Sequence, residues 1–149
     1  MKAKVTWILL ADGATAKVFQ FAGRSQGLTA LDDLMFDQEP LKAGEIMADR
    51  PGRSFSSGSD GRSAMEYSSD PVAVRERRFV ERVAEVLKRK HQEKTFDQLI
   101  VAAAPTALGD LRNAFDKNIK GAIVAELPKD LTNLPTSQLE KHFADLLLI

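Results

Sequence analysis

The sequence contains no cysteine among its 149 residues. This absence excludes disulfide bonds, zinc sites built on thiolates and cysteine nucleophiles. No apolar run approaches the roughly 18 residues that a membrane-spanning helix requires, so we expect no insertion into a membrane. The formal net charge is zero, with 21 basic and 21 acidic side chains. Strong overall attraction to nucleic acid or to a membrane surface is therefore not expected.

The residues that are present describe an ordinary globular chain. Hydrophobic side chains make up 44% of the sequence and charged side chains 28%, a composition typical of folded domains. A chain of this length buries roughly 70% of the surface that its unfolded form exposes, which suffices for a core without cross-links. We therefore expect residues 1–149 to form one domain.

The charges are segregated along the chain although they sum to zero. Residues 28–49 carry six acidic side chains against one lysine, whereas residues 71–94 carry eight basic side chains against four acidic ones. The basic stretch is either the solvated face of a helix or a ridge that binds an anion. The two interpretations differ in whether the basic side chains share one side of the helix.

The N-terminus faintly resembles a secretion signal, because Lys2 and Lys4 precede the apolar residues 5–11. That run has the minimum length for such a signal, and Asp12 and Gly13 interrupt it before the expected cleavage position. A buried first strand explains the run better, and we therefore expect a cytoplasmic protein.

Three apolar runs separated by turn residues predict three neighbouring strands in the first third of the chain. They span residues 5–11, 16–21 and 28–36. The turns between them are short, so each strand runs antiparallel to the one before it.

A helix is predicted after a long polar stretch. Asp70 is suited to the N-cap and Pro71 to the first turn, and the helix is expected to run to about Glu93. Its buried face is predicted from apolar residues at helical spacing, which are Val72, Phe79, Val80, Val83, Ala84 and Leu87.

Two further apolar runs, at 99–104 and 122–127, predict strands that helical crossovers place parallel to the first strand. Pro105 opens the helix between them, and a capping box of Ser137 and Glu140 predicts the last helix. The simplest sheet order is 3-2-1-4-5, with strand 2 antiparallel to the others. We therefore predict an α/β protein with a ribonuclease-H-like three-layer fold, in which helices pack on a mixed five-stranded sheet.

Ligands of open mixed sheets favour the crevice at the carboxyl ends of strands whose connections diverge. Here the crevice is expected between strands 1 and 4, at Asp12, Gly13, Pro105 and Thr106. Asp12 is either a turn residue that bonds its own backbone or a metal ligand in a hydrolase. Two-metal hydrolysis needs several carboxylates, and strand 4 ends without one. We expect no metal, no cofactor and no catalytic residue.

The polar stretch at about 37–70 is long for a loop in a compact domain, and such loops are usually functional or disordered. It lacks the Gly-Lys-Ser/Thr of a phosphate-binding loop, but arginine side chains can still bind phosphate or carboxylate groups in pairs of hydrogen bonds. The candidates for such contacts, on this loop and on the helix after it, are Arg50, Arg53, Arg62, Arg75, Arg78 and Arg82.

Several strings in this order resemble a bacterial family of host attachment proteins, described as proteins required for attachment to host cells. They cover nearly the whole chain. They are Trp-Ile-Leu-Leu-Ala-Asp-Gly at 7–13, Ala-Lys-Val-Phe at 16–19, Gly-Arg-Ser-Phe at 52–55, Asp-Gly-Arg-Ser-Ala at 60–64, Phe-Asp-Gln-Leu-Ile-Val at 96–101 and Lys-Asp-Leu-Thr at 129–132.

That family is similar in turn to the middle domain of archaeal and eukaryotic peptide-release factors, which implies a ribonuclease-H-like fold. In those factors a loop before the first helix carries Gly-Gly-Gln into the ribosome. The corresponding loop here, at 50–70, contains no Gly-Gly-Gln, so peptidyl-tRNA hydrolysis by that route is not implied. Contact with RNA or the ribosome is what the resemblance still implies.

The sequence therefore predicts a non-catalytic cytoplasmic binding module that contacts RNA or the ribosome and affects host attachment indirectly. A module that binds a protein partner in adhesion is the alternative, followed by a metal-dependent hydrolase that uses Asp12. The oligomeric state does not follow from the sequence.

Overall fold

The computed structural model describes residues 4–21, 27–39 and 70–147, which form one sheet covered by helices. In chain order the elements are β1 (Thr6–Ala11), β2 (Thr15–Phe21), β3 (Leu28–Asp37), α1 (Pro71–Gln92), β4 (Gln98–Ala103), α2 (Pro105–Ala114), α3 (Lys117–Ala122), β5 (Ile123–Leu127) and α4 (Thr136–Leu147). The strands stand in the order β3-β2-β1-β4-β5, which confirms the predicted order. β2 is antiparallel to both of its neighbours, whereas β1, β4 and β5 are parallel, as predicted.

β1 is the central strand of the sheet, and all six of its side chains are buried. Leu9 of β1 lies opposite Val18 of β2 in the antiparallel pair and opposite Val101 of β4 in the parallel pair. A strand with a neighbour on each side and helices on both faces has no solvated side, so its sequence is apolar without alternation. The continuous run of apolar residues at 5–11 has this cause.

The two faces of the sheet hold separate apolar clusters. Trp7, Leu9 and Ala11 of β1 pack on the side that α1 and α2 cover. Ile8 and Leu10 pack on the side that α4 covers. Successive side chains of a strand point to opposite faces, so the two covering layers of helices make a three-layered α/β structure.

Trp7 is buried to 2% exposure, as expected of a core residue. Its ring stacks on Phe96, with the ring centroids 4.6 Å apart. The indole Nε1 donates a hydrogen bond of 3.0 Å to Gln20 Oε1. The only tryptophan of the chain is therefore both packed and hydrogen-bonded, which a buried indole requires.

α1 begins where the sequence predicts, because Asp70 Oδ1 accepts hydrogen bonds from the amides of Val72 and Ala73. The prediction that Val72 lies in the core is wrong, since this side chain is 36% exposed. The first turn of α1 extends past the apolar cluster, and Val72 lines a surface crevice instead. The core-facing residues of α1 are Phe79, Val80, Val83, Ala84 and Leu87.

α1 ends in a pair of hydrogen bonds typical of a Schellman motif. The Thr95 amide donates to the Lys90 carbonyl and the Lys94 amide donates to the His91 carbonyl. Lys94 adopts a positive φ of 63°, in the left-handed region that glycine occupies without cost at this position.

Replacing Lys94 with glycine is expected to raise the free energy of unfolding by about 0.5–1 kcal/mol, because glycine removes the Cβ penalty of the left-handed conformation. Urea unfolding followed by circular dichroism measures the change. Alanine at the same position is the control, since its Cβ meets the same penalty. A glycine variant no more stable than the alanine variant would contradict the prediction.

The crossover between β4 and β5 contains two helices rather than the one predicted. α2 ends at Ala114 with Phe115 as its C-cap, and Asp116 then caps α3 by accepting a hydrogen bond of 2.9 Å from the Ile119 amide. Phe115 and Ile119 are both buried against α1 and the sheet. The sequence signal for this break was the aspartate, which is a favoured N-cap residue.

The predicted capping box of the last helix is wrong, although Leu139 and Phe143 are buried as predicted. α4 already begins at Thr136. Glu140 Oε2 accepts a hydrogen bond of 3.2 Å from the Leu28 amide, so this carboxylate ties α4 to the start of β3 instead of capping its own helix.

The predicted polar loop falls almost entirely outside the described residues, as do Arg50, Arg53 and Arg62. Asp37, which the prediction gave to the loop, belongs to β3. Within the described ranges no helix has the length and apolar character that crossing a bilayer demands.

Candidate functional site

A crevice of about 420 Å³ lies at the carboxyl ends of β1 and β4. The turn between β1 and β2, the residue after β3 and the first turns of α1 and α2 form its walls. Of the four predicted crevice residues, Asp12, Gly13 and Thr106 line it, whereas Pro105 begins α2 and is not part of the lining. The full lining is Asp12, Gly13, Ala14, Gln38, Val72, Arg75, Glu76, Ala104, Thr106, Ala107 and Asp110.

Asp12 organises the turn that leaves β1. Its Oδ1 accepts hydrogen bonds from the amides of Ala14 (2.8 Å) and Thr15 (2.7 Å). Its Oδ2 lies 3.4 Å from the Thr132 hydroxyl oxygen. The two backbone hydrogen bonds to Oδ1 are those expected of a turn residue, which was one of the two interpretations.

The segment after β5 is attached to the same turn. Thr132 is buried to 1% exposure, and its hydroxyl donates its single hydrogen to Asp130 Oδ1 at 2.6 Å. Lys17 of β2 donates a hydrogen bond of 2.7 Å from Nζ to the Thr132 carbonyl. The Lys-Asp-Leu-Thr string therefore holds the chain between β5 and α4 against the β1–β2 turn.

Gly13 leaves room for a side chain of α1. A Cβ atom at this position would lie 2.5 Å from Cδ of Glu76, so any larger residue would displace that carboxylate. Gly13 does not have a positive φ, so this turn does not use the left-handed conformation that glycine allows. Close approach of Glu76 to the turn is the reason that glycine fits here.

The ionisable lining of the crevice is mostly acidic. Asp12, Glu76 and Asp110 contribute three carboxylates, and Arg75 contributes one guanidinium. An anion placed in the crevice would meet this excess of negative charge. The crevice is therefore poorly suited to phosphate groups. Asp110 was not predicted, because nothing in its local sequence indicates that the second turn of α2 faces β1.

Asp110 has a raised pKa. Burial raises the pKa of this carboxyl above its ordinary value of 3.8, the Arg77 guanidinium lowers it, and the Glu81 carboxylate raises it. Desolvation is the largest of these effects, because a carboxylate loses hydration when it is buried. The protonated form of Asp110 is thus favoured in the folded protein relative to the unfolded chain.

Replacing Asp110 with asparagine is expected to stabilise the fold at neutral pH. Folding raises the pKa of Asp110 above 3.8, so the ionised carboxylate lowers the free energy of unfolding at every pH above the pKa of the folded protein. This destabilisation disappears as the pH falls below 3.8, where Asp110 is protonated in both the folded and the unfolded protein. Urea unfolding at neutral pH and near pH 4 measures the free energy of unfolding of the variant and of the parent protein. Asp32→Asn is the control, because it removes a carboxylate that is exposed. The stabilisation should shrink at the lower pH, and an asparagine variant that is less stable at neutral pH would refute the prediction.

Arg75 lies between the crevice and the outer side of α1. Its Nη2 donates a hydrogen bond of 2.7 Å to the Glu39 carbonyl. Its Nε is buried and has no hydrogen-bond partner among the residues that the structure describes. Of the six arginines predicted as binding residues, Arg75 alone lines the crevice, because Arg78 and Arg82 lie farther along α1 and the other three lie outside the described residues.

Four arginines form a line along one side of α1. Arg75, Arg78, Arg82 and Arg89 are separated by three, four and seven residues, spacings that keep side chains on one side of a helix. We call these four residues the arginine stripe. Arg78, Arg82 and Arg89 are exposed, and Arg75 is half-buried. Arg77 lies off the stripe, with its Nε 3.9 Å from Glu81 Oε2.

Two residues within the acidic stretch 28–49, Gln38 and Glu39, contact the stripe without using a carboxylate. Gln38 Oε1 accepts a hydrogen bond of 2.9 Å from Arg82 Nη2, and Glu39 contributes its backbone carbonyl to Arg75. The Arg82 guanidinium also lies over the Phe79 ring, with Cζ 5.8 Å from its centroid. The positive charges of the stripe are therefore not neutralised by these contacts.

No group of three or more histidine, aspartate or glutamate side chains in the described part of the chain is placed to hold a metal ion. The three acidic residues of the crevice line one cavity but do not converge on a point.

These features define an α/β protein whose mixed sheet carries an acidic crevice at one edge and an arginine stripe beside it. The chain belongs to the family described as "Protein required for attachment to host cells", which matches residues 7–143. The resemblance to host attachment proteins is thereby confirmed. A comparison with curated proteins finds no match.

Proposed function

We propose that this member of the host attachment family is a non-catalytic module that binds RNA, including RNA exposed on the ribosome, through the arginine stripe of α1. The alignment of the four arginines on one side of the helix is the observation that carries the proposal. An RNA partner places the protein in the cytoplasm and makes its effect on attachment to host cells indirect.

The chemistry of the stripe suits a phosphate backbone. Guanidinium groups donate pairs of hydrogen bonds to phosphate oxygens and remain charged at every physiological pH. Arg78 and Arg82 are one helical turn apart, and Arg89 extends the line by two further turns. A row of separated positive charges on a straight helix follows a nucleic-acid strand better than it surrounds a small anion.

The acidic lining of the crevice also favours the arginine stripe as the surface that binds RNA. RNA that entered the crevice would bring phosphates toward Asp12 and Glu76. The side of α1 that carries the four arginines has one carboxylate in line with them, that of Glu85, so it keeps an excess of positive charge. We therefore place the RNA along the outer side of α1. The crevice borders this surface through Arg75 and Gln38.

The order of the strands also fits a wider relationship. A five-stranded sheet in the order 3-2-1-4-5 with strand 2 antiparallel is the arrangement expected of a ribonuclease-H-like fold. We propose that the chain has this fold and is related to the middle domain of peptide-release factors. Contact with ribosomal RNA is the property that such a relationship favours, since the sequence lacks the Gly-Gly-Gln of those factors.

Fluorescence anisotropy of a labelled oligouridylate, measured between about 50 and about 200 mM salt, tests the proposal. The logarithm of the affinity should fall linearly with the logarithm of the salt concentration. The double variant Arg78→Gln/Arg82→Gln removes two phosphate contacts, so the slope should decrease by about 1.4 and the affinity at low salt by at least about tenfold.

The double variant Lys129→Gln/Lys141→Gln is the matched control, because it removes two exposed positive charges away from α1. It should bind the RNA nearly as tightly as the parent protein. Absence of RNA binding at low salt would refute the proposal. Recovery of envelope or surface proteins without ribosomal components from living cells after crosslinking would support an adhesion-related protein partner instead.

A further inference from the structure

We infer that Gln38 is a positioning residue for RNA binding, because it fixes the Arg82 guanidinium on the outer side of α1. This inference rests on the proposed function. Gln38 follows β3 directly and lies between the β1–β2 turn and α1, where it contacts both. It reaches the stripe from a different part of the chain, so no pattern within α1 indicates its role.

The orientation of the Gln38 amide follows from its surroundings. Its backbone amide donates a hydrogen bond of 2.8 Å to the Ala14 carbonyl, which holds the residue on the turn. The side-chain Nε2 faces two backbone carbonyls, those of Gly13 at 3.5 Å and Arg75 at 3.4 Å. Carbonyl oxygens accept but do not donate, so the amide nitrogen points toward them and Oε1 is left toward Arg82.

Oε1 then holds one guanidinium nitrogen of Arg82 at 2.9 Å, while the Phe79 ring lies on one face of the same group. An arginine has five N–H donors, and these contacts leave most of them for a ligand. A free arginine side chain loses conformational freedom when it binds, and that loss weakens binding. Holding Arg82 in place beforehand reduces the loss.

Two substitutions separate positioning from charge. Gln38→Met keeps the approximate size of the side chain but removes the acceptor of Arg82 together with the Nε2 contacts to the turn and to α1, so oligouridylate affinity should fall about two- to tenfold with an unchanged salt slope. Gln38→Glu keeps an acceptor for Arg82 and adds a charge that pairs with it, although it loses the Nε2 donor to the Gly13 and Arg75 carbonyls. The slope should decrease by about 0.7 and the affinity should also fall.

The double variant Gln38→Met/Arg82→Gln is the decisive control for RNA binding. If Gln38 acts through Arg82, the Gln38→Met substitution should have no effect on affinity once Arg82 is gone. A Gln38→Met effect that persists in the Arg82→Gln background, or that is absent in the parent protein, overturns the inference.

A measurement without RNA distinguishes failure of this inference from failure of the proposed function. Nuclear magnetic resonance of the arginine side chains should show hindered rotation of the Arg82 guanidinium in the parent protein and faster rotation in Gln38→Met. Equal rotation in the two proteins overturns the inference, whether or not RNA binds. If rotation is hindered in the parent protein but no RNA binds, the proposed function and the role of Gln38 in it are both refuted. The hydrogen bond between Gln38 and Arg82 would then be a structural contact without a role in RNA binding.

Discussion

Replacing Trp7 with alanine is expected to lower the free energy of unfolding by about 3–5 kcal/mol. The indole is buried to 2% exposure at the centre of the sheet and stacks on Phe96. Alanine would leave a cavity between β1 and α1. It would also remove the indole N–H that donates a hydrogen bond to the Gln20 amide oxygen. Domains of this size have total stabilities of about 5–15 kcal/mol, so the variant would be close to unfolding.

Urea unfolding followed by far-ultraviolet circular dichroism measures this change, because the alanine variant lacks the only tryptophan of the chain. Trp7→Phe keeps the aromatic stack and loses the hydrogen bond, and it should cost about 1–2 kcal/mol. Val124→Ala at a position that is 53% exposed should change stability by about 0.5 kcal/mol or less. Equal losses at Trp7 and Val124 would contradict the packing described for β1.

Replacing Asp12 with alanine is expected to cost about 2–3 kcal/mol of stability. The substitution removes the acceptor of the Ala14 and Thr15 amides. Hydrogen bonds to a charged acceptor contribute more than neutral ones, and each donor that loses its partner inside the protein carries a penalty. Thermal unfolding of the two proteins gives the difference.

Asparagine at position 12 separates the structural role of Asp12 from a role in chemistry. Its amide oxygen can still accept from both backbone amides, so Asp12→Asn should cost less than about 1 kcal/mol. Asp12→Asn should not change RNA affinity, because it keeps the turn that holds Gln38 and because Asp12 lies in the crevice and not on the stripe. A loss of RNA binding in folded Asp12→Asn would place the binding surface in the crevice instead.

The sequence predicted the crevice residues and the arginines as two separate sets. In the structure Arg75 and Gln38 border both surfaces, but the crevice has an acidic lining whereas the stripe is basic. A ligand of one charge would therefore be attracted to one surface and repelled by the other.

The sheet was predictable because its signals are local. A continuous apolar run at 5–11 indicates a strand buried on both faces, and short turns after it require antiparallel neighbours. Helical crossovers between the later runs require parallel ones. These constraints leave few arrangements, and the observed order β3-β2-β1-β4-β5 is the simplest of them.

The candidate site was predictable only in part. Asp12, Gly13 and Thr106 could be found because strand ends mark the edge where ligands bind. Glu76, Asp110 and Gln38 could not, because they reach the crevice from α1, α2 and the end of β3. Which turn of a helix faces a given strand depends on how the helix packs, and the helical period alone does not determine it.

The amino-acid order by itself determined the type and sequence of the strands and the antiparallel pairing of the first three, because apolar periodicity and turn length act between residues that are close along the chain. The parallel pairs of β1 with β4 and of β4 with β5 are the simplest arrangement that helical crossovers allow. The tertiary structure decided which charges share a surface. It placed Gln38 against Arg82 and Glu76 over Gly13, since contacts between distant segments depend on the packing of whole elements across the sheet.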